Sequence, residues 1–300
     1  MKVAIIGSNS LLASYLVEKL LEQETNQLAL FGKSDTLANS PANLGFTYFR
    51  YPEQQLDFSA LLGYDIIIYC AAAGVQANVQ LETSLIYEVN AFLPIRIITY
   101  LNDKGFAGKW ISFGSYFEIG NNTNELAFTE AEVVASGLAL PNHYCSSKRL
   151  LTKFISHKLF TLKVFHFILP TIYGAAESPA RLIPYIVTAL KEDRMLQLSA
   201  GTQVRQYLHC KDVASLVSLV AQEEYPADIY NIVNDAPMQI AELVRAVFSR
   251  FGKDASPFLG TLATRDESMK YLALNNSKIV DLISNWKPLI RLEEGIDEYI

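Results

Sequence analysis

Tyr144-Cys145-Ser146-Ser147-Lys148 is the stretch of this chain whose side chains are best suited to moving a proton. If the segment is helical, Tyr144 and Lys148 stand one turn apart on one face, where the ammonium acts on the phenol. Free tyrosine ionises near pH ~10, and a fixed neighbouring cation favours the phenolate, so the pair suits a general acid or base. Spacing alone does not single it out, because Tyr15/Lys19, Tyr100/Lys104 and Tyr207/Lys211 share it. The surrounding elements must choose.

Lys2 to Ile6 is an apolar run ending at Gly7, and Leu11 to Leu21 follows at helical spacing, which predicts strand, tight turn, helix. A helix amino end at Ser10, Leu11 and Leu12 would offer free N–H groups and a positive dipole to a pyrophosphate. Gly7, Ser10 and Ala13 occupy the three small-residue positions of a dinucleotide loop, with serine where close backbone approach usually wants glycine. A second strand, Gln27 to Phe31, ends in Gly32-Lys33-Ser34. A carboxylate there would hold the ribose 2′-hydroxyl of NAD(H); a cation and a hydroxyl, Lys33 and Ser34, suit the 2′-phosphate of NADP(H), which is the expected cofactor.

Asp65 to Cys70 reads as a buried parallel strand running into Ala71-Ala72-Ala73-Gly74, small enough for a cofactor to lie against the backbone. Leu81 to Leu101 reads as one long helix carrying Asn90, and Lys109 to Phe113 as a strand delivering Gly114-Ser115. Pro141-Asn142-His143 then opens the helix of Tyr144, expected to run to Phe160. Tyr15 lies inside the first helix, Tyr100 at the far end of another, and Tyr207 in a strand-like run whose period does not pair it with Lys211. Only Tyr144 follows a strand-end serine at a helix entrance.

The 300 residues are half apolar with a net charge of -6 and no basic cluster, which argues against nucleic acid and allows a well-buried core. Three widely spaced cysteines and four histidines without ligand spacing argue against a disulfide scaffold and a metal site. The amino end turns polar too early for a signal peptide, and no apolar run approaches a membrane span. A cytoplasmic protein with no membrane partner is expected.

With these motifs in order, the chain resembles the extended short-chain dehydrogenase/reductase family, the NAD(P)-dependent epimerases, dehydratases and reductases of nucleotide sugars. The likeness rests on Gly7-x-x-Ser10-x-x-Ala13, Asp65-Ile66-Ile67-Ile68-Tyr69-Cys70-Ala71-Ala72, Asn90, Ile111-Ser112-Phe113-Gly114-Ser115, Tyr144-x-x-x-Lys148, Leu169-Pro170-Thr171-Ile172-Tyr173-Gly174 and the run from Gly201 through Arg205 to Ala214. It implies an α/β Rossmann fold, a doubly wound parallel sheet, with a smaller substrate domain. The expected division is 1–174 and 205–234 for the NADP-binding domain, and 175–204 and 235–300 for the nucleotide-sugar domain.

The resemblance further implies Ser115, Tyr144 and Lys148 as catalytic residues. The cofactor would lie against Gly7, Ser10, Leu11, Leu12, Lys33, Ser34, Ala71, Ala72, Ala73, Asn90, Tyr144, Lys148, Pro170 and Ile172. The substrate would meet Ser115, Tyr116, Thr171, Arg205 and Arg265, the two arginines holding its diphosphate. Family dehydratases carry an Asp-Glu pair directly after the active-site threonine; Tyr116-Phe117 stands there instead, and Glu118, one residue late on a segment read as extended, should point away. The likeness is nearest to nucleotide-sugar 4-ketoreductases, such as those making CDP-abequose or dTDP-linked 6-deoxyhexoses for bacterial O-antigen. It implies NADPH-dependent reduction of a dTDP- or CDP-linked 4-keto-6-deoxyhexose and pairing as a homodimer through the helices of Asn90 and Tyr144. An epimerase, with His143 as an added acid or base, and a redox-silent NADP-binding regulator are the alternatives. Phe258, Tyr185 and Tyr271 are candidates for stacking on the base.

Overall fold

The computed structural model describes residues 1–34, 43–75, 81–234, 236–263, 268–284 and 286–300. Strand β1 (Lys2–Ile6) turns at Gly7 into helix α1 (Leu11–Leu21), capped by Ser10, whose Oγ accepts from the Ala13 N–H at 3.2 Å. Strands β2 (Gln27–Gly32) and β3 (Leu44–Tyr48) follow, then a 3₁₀ turn at Phe58–Gly63 capped by Asp57, then β4 (Ile66–Tyr69).

The long helix expected from Leu81 to Leu101 is broken into α2 (Thr83–Tyr87), a π-turn at Glu88–Phe92, and α3 (Leu93–Asp103). Pro94 has no N–H to give the Asn90 carbonyl and its ring crowds that carbonyl, and the wider turn relieves both. The strand after it, β5 (Lys109–Ser115), is two residues longer than expected and ends on Ser115. Next come α4 (Glu130–Ala135), α5 (His143–Ser156), shorter than expected, β6 (Lys163–Leu169) and β7 (Thr171–Tyr173). The chain continues through α6 (Leu182–Lys191), β8 (Val204–Arg205), β9 (Tyr207–His209), α7 (Cys210–Gln222) and β10 (Ile229–Asn231). It closes with β11 (Met238–Gln239), α8 (Ile240–Arg250), α9 (Ser277–Leu282) and α10 (Leu292–Asp297). Among the described residues no helix is long and apolar enough to cross a membrane.

Seven strands form one parallel sheet in the order β10-β6-β5-β4-β1-β2-β3, a Rossmann fold. The continuous apolar runs of β1 and β4 feed both faces at once. Val3, Ile5, Ile66 and Ile68 pack with α1 and α7, while Ala4, Ile6, Ile67 and Tyr69 pack with α3 and α5. Each isoleucine so buried contributes about 1.5–3 kcal/mol. A third core joins α6, α8 and α10 around Ile186, Val247 and Phe248. Chain direction around the sheet reverses between β1 and β4, and the crevice beyond their carboxyl ends is where such sheets take ligands.

Candidate active site

That crevice is a cavity of about 690 Å³. Of the residues singled out in the sequence, Ser10, Leu11, Leu12, Ala71, Ala72, Ser115, Tyr144, Lys148, Pro170, Thr171 and Ile172 line it. Gly7, Lys33, Ser34, Ala73, Asn90, Tyr116 and Arg205 do not, and Arg265 lies outside the described residues.

Ser115, Tyr144 and Lys148, the candidate proton-transfer residues, stand where β5 meets α5. Asn142 caps α5 through a bond from the Cys145 N–H to its Oδ1 at 2.9 Å, which sets Tyr144 in the first turn at the cavity wall. Lys148 is buried one turn on, its ammonium donating to the Phe113 carbonyl at 2.9 Å and standing 5.9 Å from the Tyr144 ring centroid. The expected lowering of the Tyr144 phenol by that ammonium does not prevail. Burial pushes the phenol up to about 12, against a hydrogen bond with Ser115 and the charge of Arg181. Burial likewise brings Lys148 down to about 8, with Glu118 and Cys70 opposing. Tyr144 therefore holds its proton at neutral pH, as an acid must.

Behind Ser115 the segment is a 3₁₀ turn, Tyr116–Ile119, not the extended run read from the sequence. Ser115 caps this turn and Glu118 reaches back to the Ser115 N–H at 3.1 Å, so the carboxyl is buried under the strand end. The conclusion that Glu118 faces away from the cavity stands, for a different reason. Tyr116 is also fully buried, its hydroxyl 2.6 Å from Thr171 Oγ1, and so braces Thr171 where a substrate contact was expected.

At the cofactor end the glycine requirement is steric: Gly7 has φ +86°, and a Cβ there would stand 2.4 Å from the Ala71 backbone nitrogen. Ser10, at the doubtful position, folds its hydroxyl back as the α1 cap, leaving that helix end open to the cavity. These features fit a dinucleotide. Asn9, which the sequence reading passed over, ties the two loops together. Its Oδ1 accepts from the Lys33 N–H at 2.5 Å, and its Nδ2 donates to the Ser34 carbonyl at 2.8 Å and to the Ser34 hydroxyl at 3.2 Å; Lys33 and Ser34 are both exposed.

Asn90, expected against the cofactor, is instead a brace. Its amide exchanges bonds of 2.8 and 2.9 Å with the Ala73 backbone and donates to Ser147 Oγ at 2.9 Å, joining the small-residue loop to the helix of Tyr144. Arg205 is buried beneath Phe117, its guanidinium 5.9 Å from that ring and donating to the Val204 carbonyl at 2.8 Å. The guanidinium at the cavity wall is that of Arg181, which the sequence did not single out, held by Glu177 at 2.6 Å and by the Ile172 carbonyl at 2.7 Å. Phe117, Met269 and His143 complete this end, His143 lying 3.4 Å from the Tyr87 hydroxyl. Phe258, Tyr185 and Tyr271, the candidates for base stacking, do not line the cavity. Among the described residues no group of three or more His, Cys, Asp and Glu gathers as a metal site would require.

Residues 3–233 match the model of the NAD dependent epimerase/dehydratase family. The chain is similar, at 24% identity over 126 residues, to the trifunctional UDP-glucose 4,6-dehydratase/UDP-4-keto-6-deoxy-D-glucose 3,5-epimerase/UDP-4-keto-L-rhamnose-reductase of Arabidopsis thaliana, an alignment over 42% of this chain and 19% of that protein. With the CDP-abequose synthase of Salmonella muenchen it shares 17% identity over 305 residues, all of this chain and 97% of the relative. Its fold is that of the dTDP-glucose 4,6-dehydratase of Streptomyces venezuelae, solved with NAD, at a TM-score of 0.83 and 21% identity over 100% and 97% of the two chains. The chain belongs to the NAD-dependent epimerase/dehydratase family.

Proposed function

We propose that this member of the family is an NADPH-dependent ketoreductase that acts on C4 of a dTDP- or CDP-linked 4-keto-6-deoxyhexose, in bacterial deoxysugar synthesis for O-antigen or another surface polysaccharide. The observation that carries the reading is the proton chemistry of the cavity. Among its described lining residues there is no Asp or Glu, while one phenol, one hydroxyl and one ammonium converge at the end of β5. Dehydration requires groups that remove and return water, and the positions after Ser115 carry an inward-packed Tyr116 and an apolar Phe117. Reduction of a carbonyl requires one proton donor and a partner for the developing oxyanion.

Tyr144 gives its proton to the carbonyl oxygen, Ser115 donates a hydrogen bond to the same oxygen, and Lys148 holds positive charge beside them. NADPH would be held at its pyrophosphate by the α1 amino end at Ser10, Leu11 and Leu12, along Ala71 and Ala72, and at its nicotinamide by Pro170 and Ile172, and would supply the hydride. Lys33 and Ser34, a cation and a hydroxyl exposed at the end of β2, support the 2′-phosphate form of the cofactor. Arg181 and Thr171 face the substrate from the far wall. The enzyme works in the cytoplasm as a homodimer.

Loss of NADPH absorbance, with NADH in parallel, on adding dTDP- or CDP-4-keto-6-deoxyglucose tests the reading. Rapid loss with one sugar supports it and names the base. His143 at the cavity wall favours an epimerase as the second reading, which predicts no net cofactor loss and exchange of solvent deuterium into the sugar. Silence in both assays would leave a redox-silent binding role.

A further inference from the structure

We propose that Glu118 is the positioning acid of this site, a buried carboxyl that gains and loses a proton and thereby sets the charge felt by Tyr144 and Lys148. The idea rests on Tyr144 as the proton donor; its geometry stands separately. Glu118 is 1% exposed, and room for it is made by Gly114, where a Cβ would lie 2.7 Å from Glu118 Oε1 and 2.8 Å from His166 Nε2. Oε1 accepts the Ser115 N–H, whereas Oε2 is buried and accepts no well-formed hydrogen bond, the Thr152 hydroxyl weakly favouring the carboxylate.

The charged and titratable groups facing this carboxyl come from two elements. From α5, Lys148 donates to the Phe113 carbonyl, and Arg149 spends its guanidinium on the carbonyls of Glu118, Leu138 and Ile119. Tyr144, on the same helix, lies on the Ser115 side. From β6, His166 is bonded to Ser112 Oγ at 2.9 Å and to Thr152 Oγ1 at 3.0 Å, and burial holds it neutral, down to about 3. Among the described residues none forms an ion pair with Glu118, and a buried ion without one shifts to its neutral form. Burial accordingly raises the carboxyl to about 7.

A residue present only to cap the 3₁₀ turn needs one acceptor oxygen, which glutamine supplies, so Glu118→Gln keeps the cap and removes the charge. Two readouts that need no turnover decide the matter. The first is an infrared titration of the whole protein between about pH 5 and about pH 9. A protonated-carboxyl band that fades across neutrality, survives Glu177→Gln, which removes another buried carboxyl, and is absent in Glu118→Gln is the expected result. The second is the Tyr144 phenol titration, read as the ultraviolet difference between the protein and its Tyr144→Phe variant. A Glu118 carboxylate raises both Tyr144 and Lys148, so the phenol should titrate about half a pH unit or more lower in Glu118→Gln.

A missing band, or a phenol titration that does not move, would overturn the proposal. If Glu118→Gln does not fold, the infrared titration of the wild-type protein against Glu177→Gln still decides it. A protein inactive on every ketosugar would refute the proposed reaction and leave both readouts in force.

Discussion

Tyr144/Lys148 and Tyr100/Lys104 share one sequence spacing and nearly one geometry, with the ammonium 5.9 Å from the ring centroid in the first pair and 5.8 Å in the second. Their surroundings differ completely. Lys104 sits exposed just past the end of α3, and its Tyr100 packs edge-on against Phe58. Lys148 is buried, pinned to a strand carbonyl, with Tyr144 at the cavity wall and Ser115 beside the phenol. Position at the carboxyl end of a parallel strand, rather than spacing, is what sets the candidate proton-transfer pair apart from its look-alike.

Removing each phenol breaks that comparison most sharply. Tyr144→Phe should lower ketosugar reduction by about 10²–10⁴-fold while NADPH binding is retained, because a general acid contributes that much. Tyr100→Phe should leave the rate within a factor of about two, a surface change of this kind being nearly neutral. Equal losses in both variants would show that the two environments do not differ in function.

A smaller loss, about 10²-fold in kcat with KM little changed, is expected for Ser115→Ala, which removes one donor to the developing oxyanion. Gly7→Ala should act through folding and cofactor binding together. The left-handed backbone and the approach of Ala71 leave no place for a methyl group, and a cost of about 1–3 kcal/mol should appear in urea unfolding. A Gly7→Ala protein of native stability and cofactor affinity would refute the close approach.

The last effect is a pH dependence of stability. Glu118 titrates near 7 in the folded state and near ~4.3 unfolded, so across that window the folded protein holds a proton that the unfolded chain has lost. Its contribution is complete below about pH 4.3 and is lost as pH rises through 7, with a slope of at most about 1.4 kcal/mol per pH unit. Denaturant midpoints at several pH values should show this slope in the wild-type protein and not in Glu118→Gln.

Much of the frame was legible because short-range physics dictates it. Apolar runs that end in small residues gave β1, β4 and β5, helical spacing gave α1, and the Pro141-Asn142-His143 opening gave α5. What escaped was set by tertiary contact. The π-turn follows from Pro94 acting one turn back, and Glu118 is turned inward by a 3₁₀ cap that an extended reading could not foresee. Asn90 and Arg205 were expected as ligand contacts from the family resemblance, yet the fold uses one as a brace and buries the other under Phe117. Arg181 stands in a run, Ser178-Pro179-Ala180-Arg181, that carries no periodic signal; Glu177 four residues earlier was the available clue to an anchored guanidinium. Asn9 was hidden inside the loop whose small residues drew attention.

The most direct test of the central claim follows the hydride itself. The protein would be incubated with NADPH deuterated at the transferable position of nicotinamide C4 and with dTDP- or CDP-4-keto-6-deoxyglucose, and the sugar product examined by NMR. The account predicts deuterium bonded to sugar C4, in an amount equal to the cofactor oxidised. A product without that label, or isomerised sugar with the cofactor unconsumed, would contradict it.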